Sequence, residues 1–99
     1  MAQDIIEGIK AFKKDKNAVL LDVRTFEEYE NQHINGSINI PIQTLGQIRL
    51  KVKNLSTPLY VYCQSGVRSR AALKQLTEMG YSNVKDIGGI NGLKSIKNK

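Results

Sequence analysis

One short segment of this 99-residue chain holds residue types able to do covalent chemistry: Cys63-Gln64-Ser65-Gly66-Val67-Arg68. It follows the apolar and aromatic run Leu59-Tyr60-Val61-Tyr62, which predicts a strand. It precedes a stretch from Ser69 to Met79 in which Ala72, Leu73, Leu76 and Met79 recur at helical spacing. Cys63 is therefore expected where a strand ends and a loop leads into a helix. Open α/β sheets bind ligands at the carboxyl ends of their strands. A helix N-terminus adds unpaired N–H groups and the positive end of the macrodipole. Gly66 lets the loop turn further amides toward a common centre, forming an anion nest. A thiol beside such donors and near Arg68 is biased toward the thiolate, the nucleophilic form. The expected site is a reactive Cys63 in a cradle that also binds an anion. Gln64, Ser65, Gly66, Val67 and Arg68 would contribute to it mainly through backbone amides.

A solitary cysteine is more often a small core hydrophobe. Here the strand end, the glycine, the arginine and the helix start together outweigh that reading. Arg68 has two readings of equal weight: it binds the anion, or it braces the loop against a carboxylate. One cysteine excludes an internal disulfide. With His33 as the single histidine, zinc sites built only from Cys and His are excluded as well.

The elements that must position this loop follow from periodicity. Ile5, Ile6, Ile9 and Phe12 predict an amphipathic helix over residues 4–14. Val19-Leu20-Leu21-Asp22-Val23 reads as a strand buried on both faces. Thr25 and Glu28 form a capping box that opens a short helix ending near His33. Asn35-Gly36 signals a turn, Ser37–Ile40 a short strand, and 42–50 a further helix weakened by Gly46. Gly80 occupies a helix C-cap position, Asn83–Ile87 is a last strand, and Gly88-Gly89 a turn. Alternating strands and helices define an α/β domain with a largely parallel sheet, spanning residues 1–99 as one unit.

Hydrophobic residues are 40% and charged residues 24%, which excludes a disordered chain. No apolar run approaches the ~20 residues of a membrane span. The acidic start, Met1 to Glu7, is unlike a secretory signal, so the cytoplasm is the expected location. The net charge of +6 comes from scattered lysines without interleaved aromatics. That favours anions generally and argues against nucleic acid.

Two motifs, Leu21-Asp22-Val23-Arg24 through Asn39-Ile40-Pro41 and Tyr60-Val61-Tyr62-Cys63-Gln64-Ser65-Gly66-Val67-Arg68-Ser69, resemble the single-domain rhodanese-like sulfurtransferases. The resemblance spans about residues 19–93. It implies a three-layer α/β/α domain and a Cys63 persulfide cradled by the amides of residues 64–68. The implied donor is thiosulfate or a related small anionic sulfane compound. The implied acceptor is cyanide, a small thiol or a protein thiol. No metal, organic cofactor, nucleic acid or membrane is required. Asp22 and Arg24 would brace the site as a buried pair, and Ser69 would support it. His33 would hold a turn, because a preformed thiolate needs no general base. The family commonly has tryptophan at the place of Leu93, so the last turn is expected to bury less area. The family's first edge strand is expected to be short or absent.

Loop length separates the nearest competitors. Related phosphatases and arsenate reductases resemble Cys-x5-Arg, whereas Cys63 to Arg68 is Cys-x4-Arg. A persulfide carrier or sulfide-sensing module with low turnover would use the same cysteine and is the alternative from another class.

Overall fold

The computed structural model describes residues 5–93. Helix α1 (Ile5–Lys14) leads into strand β1 (Val19–Asp22). Helix α2 (Phe26–Asn31), strand β2 (Ser37–Asn39), a 3₁₀ segment (Ile42–Gln47) and helix α3 (Ile48–Lys51) follow. Strand β3 (Leu59–Cys63), helix α4 (Val67–Glu78), strand β4 (Val84–Gly89) and a 3₁₀ turn (Ile90–Leu93) complete the order. The four strands form one sheet in the order β2-β1-β3-β4, and every pairing is parallel. Parallel strands demand cover on both faces, and the core divides accordingly. Leu20, Tyr60, Tyr62 and Ile87 pack with Ile5, Ile9 and Phe12 of α1. Leu21, Val23, Leu59, Val61 and Cys63 pack with Ile48 of α3 and with Ala72 and Leu76 of α4. The result is the three-layer α/β/α arrangement. It places Cys63 on the α4 side, at the carboxyl end of a central strand.

The capping box is present in both halves. The Glu28 amide donates to Thr25 Oγ1 at 3.1 Å, and the Thr25 amide donates to Glu28 Oε1 at 2.9 Å. Gly80, at φ +105°, closes α4 as expected. Leu93 packs against the α1-side core.

Several expectations are corrected. The segment 42–50 is not one helix: Thr44, at φ −122° and ψ 31°, kinks the 3₁₀ segment from within, and a single α turn follows at Ile48–Lys51. Helix α4 begins at Val67, two residues ahead of Ser69. Gly88-Gly89 is not a turn: β4 continues through both glycines, which pair with Tyr62 and Cys63. The register shifts at Ile87, where one extra residue in β4 makes a bulge. That bulge carries the strand on beneath the cysteine loop instead of ending it. The expected helix start at residue 4 and any strand formed by residues 1–4 lie outside the described residues.

Candidate active site

Cys63 is wholly buried, and its sulfur accepts two backbone N–H groups, from Gly66 at 3.0 Å and from Ser69 at 3.3 Å. The local chain explains both. Gly66 takes φ +98°, a left-handed conformation costly for any residue with a side chain, and so folds the loop back over the sulfur. Gly66 is also the residue that caps α4, yet it has no side chain to accept the helix's first amides. Ser69 is the third residue of α4, the position whose N–H a Ser, Thr, Asp or Asn cap ordinarily satisfies. The Cys63 sulfur does this instead, which is why the helix starts earlier than Ser69. Both donors stabilise negative charge on the sulfur.

Each end of the loop is tied down separately. At its far end the Arg68 guanidinium forms a fork with Glu28, at 2.8 Å from Nη1 to Oε1 and 3.0 Å from Nη2 to Oε2. Of the two readings of Arg68, the structure therefore provides the carboxylate brace. Ser69 Oγ donates to Asp86 Oδ1 at 2.7 Å, and the same oxygen accepts the Gly88 amide at 3.0 Å. Asp86 thus fastens the first turn of α4 to the β4 bulge.

At the near end, Asp22 and Arg24 form a buried pair at the exit of β1, with Arg24 Nη2 2.8 Å from Asp22 Oδ2. Burial works against the Arg24 charge, and hydrogen bonding and proximity to Asp22 more than offset it. Burial, reinforced by Asp22, pushes the neighbouring Tyr62 phenol up and keeps it protonated. The Arg24 fork has two more partners, the Gln32 carbonyl at 2.6 Å and Gln64 Oε1 at 3.1 Å. Gln64 in turn donates from Nε2 to Asn91 Oδ1 at 2.7 Å. Its side chain therefore carries more of the architecture than the sequence suggested. Below the loop, Gly89 leaves room for its backbone: a Cβ there would lie 2.5 Å from the Gln64 carbonyl oxygen and 2.8 Å from Ser65 backbone atoms.

The expected cradle of amides 64–68 is corrected: within that range the Gly66 amide bonds the Cys63 sulfur, and the second donor is Ser69, which supplies an amide as well as a hydroxyl anchor, with Asp22 and Arg24 behind the loop. Ser65 and Val67 have exposed side chains. His33 is held in its turn, with Nδ1 2.8 Å from the Tyr29 carbonyl and its ring stacked on Tyr29 at 3.9 Å. Glu28, Asp86, Gly89 and Asn91 escaped the sequence reading as site residues. The Gly88-Gly89 pair was the one visible signal. Among the described residues there is no cluster of three His, Cys, Asp or Glu able to hold a metal ion. No described helix is long and apolar enough to cross a membrane.

The Glu28–Arg68 fork makes the site acid-sensitive. Its hydrogen bonds from Arg68, helped by those from Thr25, hold Glu28 at about 2, down from 4.5. A carboxylate lowered on folding adds stability above its unfolded value and loses it as pH falls toward its folded value. Melting temperature should therefore fall between pH 4.5 and about 2 more steeply in the native chain than in Glu28→Gln. Both side chains are about one-third exposed (32% and 31%), so screening limits the difference to ~1 kcal/mol. Parallel pH profiles for the two proteins would show that the fork adds nothing to stability.

The pattern that defines the Rhodanese-like domain matches residues 6–96, and the chain belongs to that family. Its relatives include the thiosulfate sulfurtransferase PspE of Escherichia coli strain K12, 36% identical over 74% of this chain and 71% of that protein. The thiosulfate sulfurtransferase GlpE of Actinobacillus succinogenes is 36% identical over 78% of this chain and 69% of that protein. The putative sulfur carrier protein YrkF of Bacillus subtilis is 35% identical over 78% of this chain, which spans only 43% of that longer protein. A solved rhodanese with anions from E. coli superimposes with a TM-score of 0.72 at 36% identity, covering 83% of this chain and 94% of that one.

Proposed function

We propose that this chain is a sulfurtransferase that moves a sulfane sulfur through a persulfide on Cys63, taking it from thiosulfate or a related anion. The observation that carries this is the pair of amides converging on the Cys63 sulfur at the carboxyl end of β3. In the first half-reaction the thiolate attacks the outer sulfur of the donor. A sulfur–sulfur bond to Cys63 forms, the donor's own sulfur–sulfur bond breaks, and the electron pair leaves with sulfite. In the second, cyanide or a thiolate attacks the outer sulfur of the persulfide. That bond forms as the persulfide bond breaks, and the electron pair returns to Cys63. This is nucleophilic covalent catalysis in two steps, and the donors on the sulfur stabilise the charge it carries before and after transfer.

Burial of Cys63 narrows the donor class. A reagent reaches the sulfur only through the loop's cover, which suits an anion tipped by a single sulfur and penalises bulky electrophiles. Because the Arg68 fork is occupied by Glu28, it is not a free clamp for a tetrahedral oxyanion. That weighs against the phosphatase and arsenate-reductase readings. The likeness to YrkF, a putative sulfur carrier protein, supports a second reading, a persulfide carrier with slow turnover, on the same cysteine.

Steady-state turnover with thiosulfate and cyanide separates the two. An enzyme completes many cycles, whereas a carrier takes up one sulfur and releases it slowly. Intact-mass measurement after thiosulfate treatment should show one added sulfur that cyanide or a reducing thiol removes. No adduct with any of several sulfane donors would defeat both readings.

A further inference from the structure

The residue beside the nucleophile is clasped by a residue on the other side of the loop. Gln64 and Asn91 exchange two hydrogen bonds. The Asn91 amide donates to the Gln64 carbonyl at 3.1 Å, and Gln64 Nε2 donates to Asn91 Oδ1 at 2.7 Å. The remaining Gln64 acceptor, Oε1, takes Arg24 Nη1 at 3.1 Å. These partners fix the direction of the Gln64 carboxamide. A guanidinium can only donate, so the oxygen must face Arg24 and the NH₂ group must face Asn91. Arg24 cannot yield, because its other nitrogens are committed to buried Asp22 and to the Gln32 carbonyl. Asn91 is held through its own backbone, in the 3₁₀ turn that follows β4. Gln64 therefore spans a fixed point at the exit of β1 and a fixed point across the loop.

We infer that Gln64 and Asn91 act as one positioning unit that sets where the Cys63 loop begins its turn, and so where its amides meet the sulfur. This deepens the sulfurtransferase reading and rests on it for the reaction concerned. Neither residue touches the sulfur in this structure, so their effect passes through the backbone. The two loop ends are held differently. The far end uses an ion pair that acid weakens, whereas the near end uses neutral carboxamides against a buried arginine. A small loss of register at the near end changes donor direction, on which hydrogen-bond strength depends steeply. The unit should thus govern the rate of the chemical step rather than the affinity for the donor.

The test is a double-mutant cycle on the full chain with Gln64→Ala, Asn91→Ala and the double variant, plus Asn91→Asp. Three readouts are taken: thiosulfate:cyanide kcat and KM, melting temperature, and the second-order rate of Cys63 alkylation by iodoacetamide. Each alanine variant should lower kcat about tenfold, the size expected when a transition-state donor is misdirected rather than removed, with KM changed less than about twofold. The double variant should be no slower than the slower single variant, because either change breaks the same unit. Asn91→Asp keeps an oxygen for Gln64 Nε2 and should recover most of kcat. Melting temperatures should stay within about 4 °C of the native chain.

Additive losses in the double variant would overturn the inference. So would unchanged kcat in both single variants, or a failure of Asn91→Asp to recover activity while Asn91→Ala is slow. The alkylation rate keeps this inference distinct from the functional one. If the native chain turns over no sulfur donor, the sulfurtransferase reading fails. A non-additive change in alkylation rate then still upholds the clasp, and an additive or absent change rejects it.

Discussion

Cys63→Ser is expected to abolish sulfur uptake while leaving the fold in place. The side chain is wholly buried on the α4 side of the core and differs from serine by one atom. A serine oxygen can still accept the Gly66 and Ser69 amides, so the first turn of α4 keeps an acceptor. The expected stability cost is ~1 kcal/mol, from a shorter side chain and a hydroxyl replacing an apolar sulfur. An alcohol is a far weaker acid than a thiol, and it cannot form a persulfide. Intact mass after thiosulfate should therefore be unchanged, and cyanide turnover should fall to background. A sulfur adduct on the serine variant would place the chemistry elsewhere, although the chain has no second cysteine to host it. Collapse of the fold would show instead that the sulfur is chiefly structural.

Gly89→Ala is expected to slow sulfur transfer by about 10²–10³, the size of losing one well-placed anion donor. The added methyl would meet the Gln64 carbonyl oxygen at 2.5 Å and the Ser65 Cα at 2.8 Å. Those are backbone atoms, so no side-chain rotation relieves the clash, and the loop itself must lift. Gly89 is not in the positive-φ region, so alanine brings no conformational penalty of its own there. The effect isolates the contact between β4 and the loop. Gly46→Ala is the matched control, because nothing lies within 4 Å of its added Cβ. It should leave kcat unchanged and stability equal or slightly higher. Native-like turnover in Gly89→Ala would mean that the loop accommodates the methyl without moving its amides, and that close packing beneath the cradle is dispensable.

What the sequence revealed and what it hid divide by range. The Thr25–Glu28 capping box and the β3 strand depend on neighbouring residues, and both are found where local pattern puts them. The Glu28–Arg68 fork joins residues 40 apart, and the Gln64–Asn91 contact joins residues 27 apart. Neither has a local signature. Glu28 was already spent on its capping box, which gave no hint that the same carboxylate also receives an arginine. The true start of α4 has no signal in the local sequence, because its acceptor is a sulfur contributed by the preceding strand, outside the usual capping residues. Gly88-Gly89 has the composition of a turn. What it satisfies is the approach of another backbone, visible only once β4 and the loop are seen together.

The depth of the sulfur also decides what two copies of this chain can do to one another. Joining two cysteines requires their sulfurs to approach to about 2.05 Å and their Cα atoms to within about 7 Å. Cys63 has no exposed surface and lies beneath its own loop. Two such sites cannot meet unless both loops open at once. A protein with one free thiol would ordinarily be prone to oxidative dimerisation. Here the cover over Cys63 excludes a second folded chain, so the protein should remain monomeric with respect to disulfide formation even under mild oxidants.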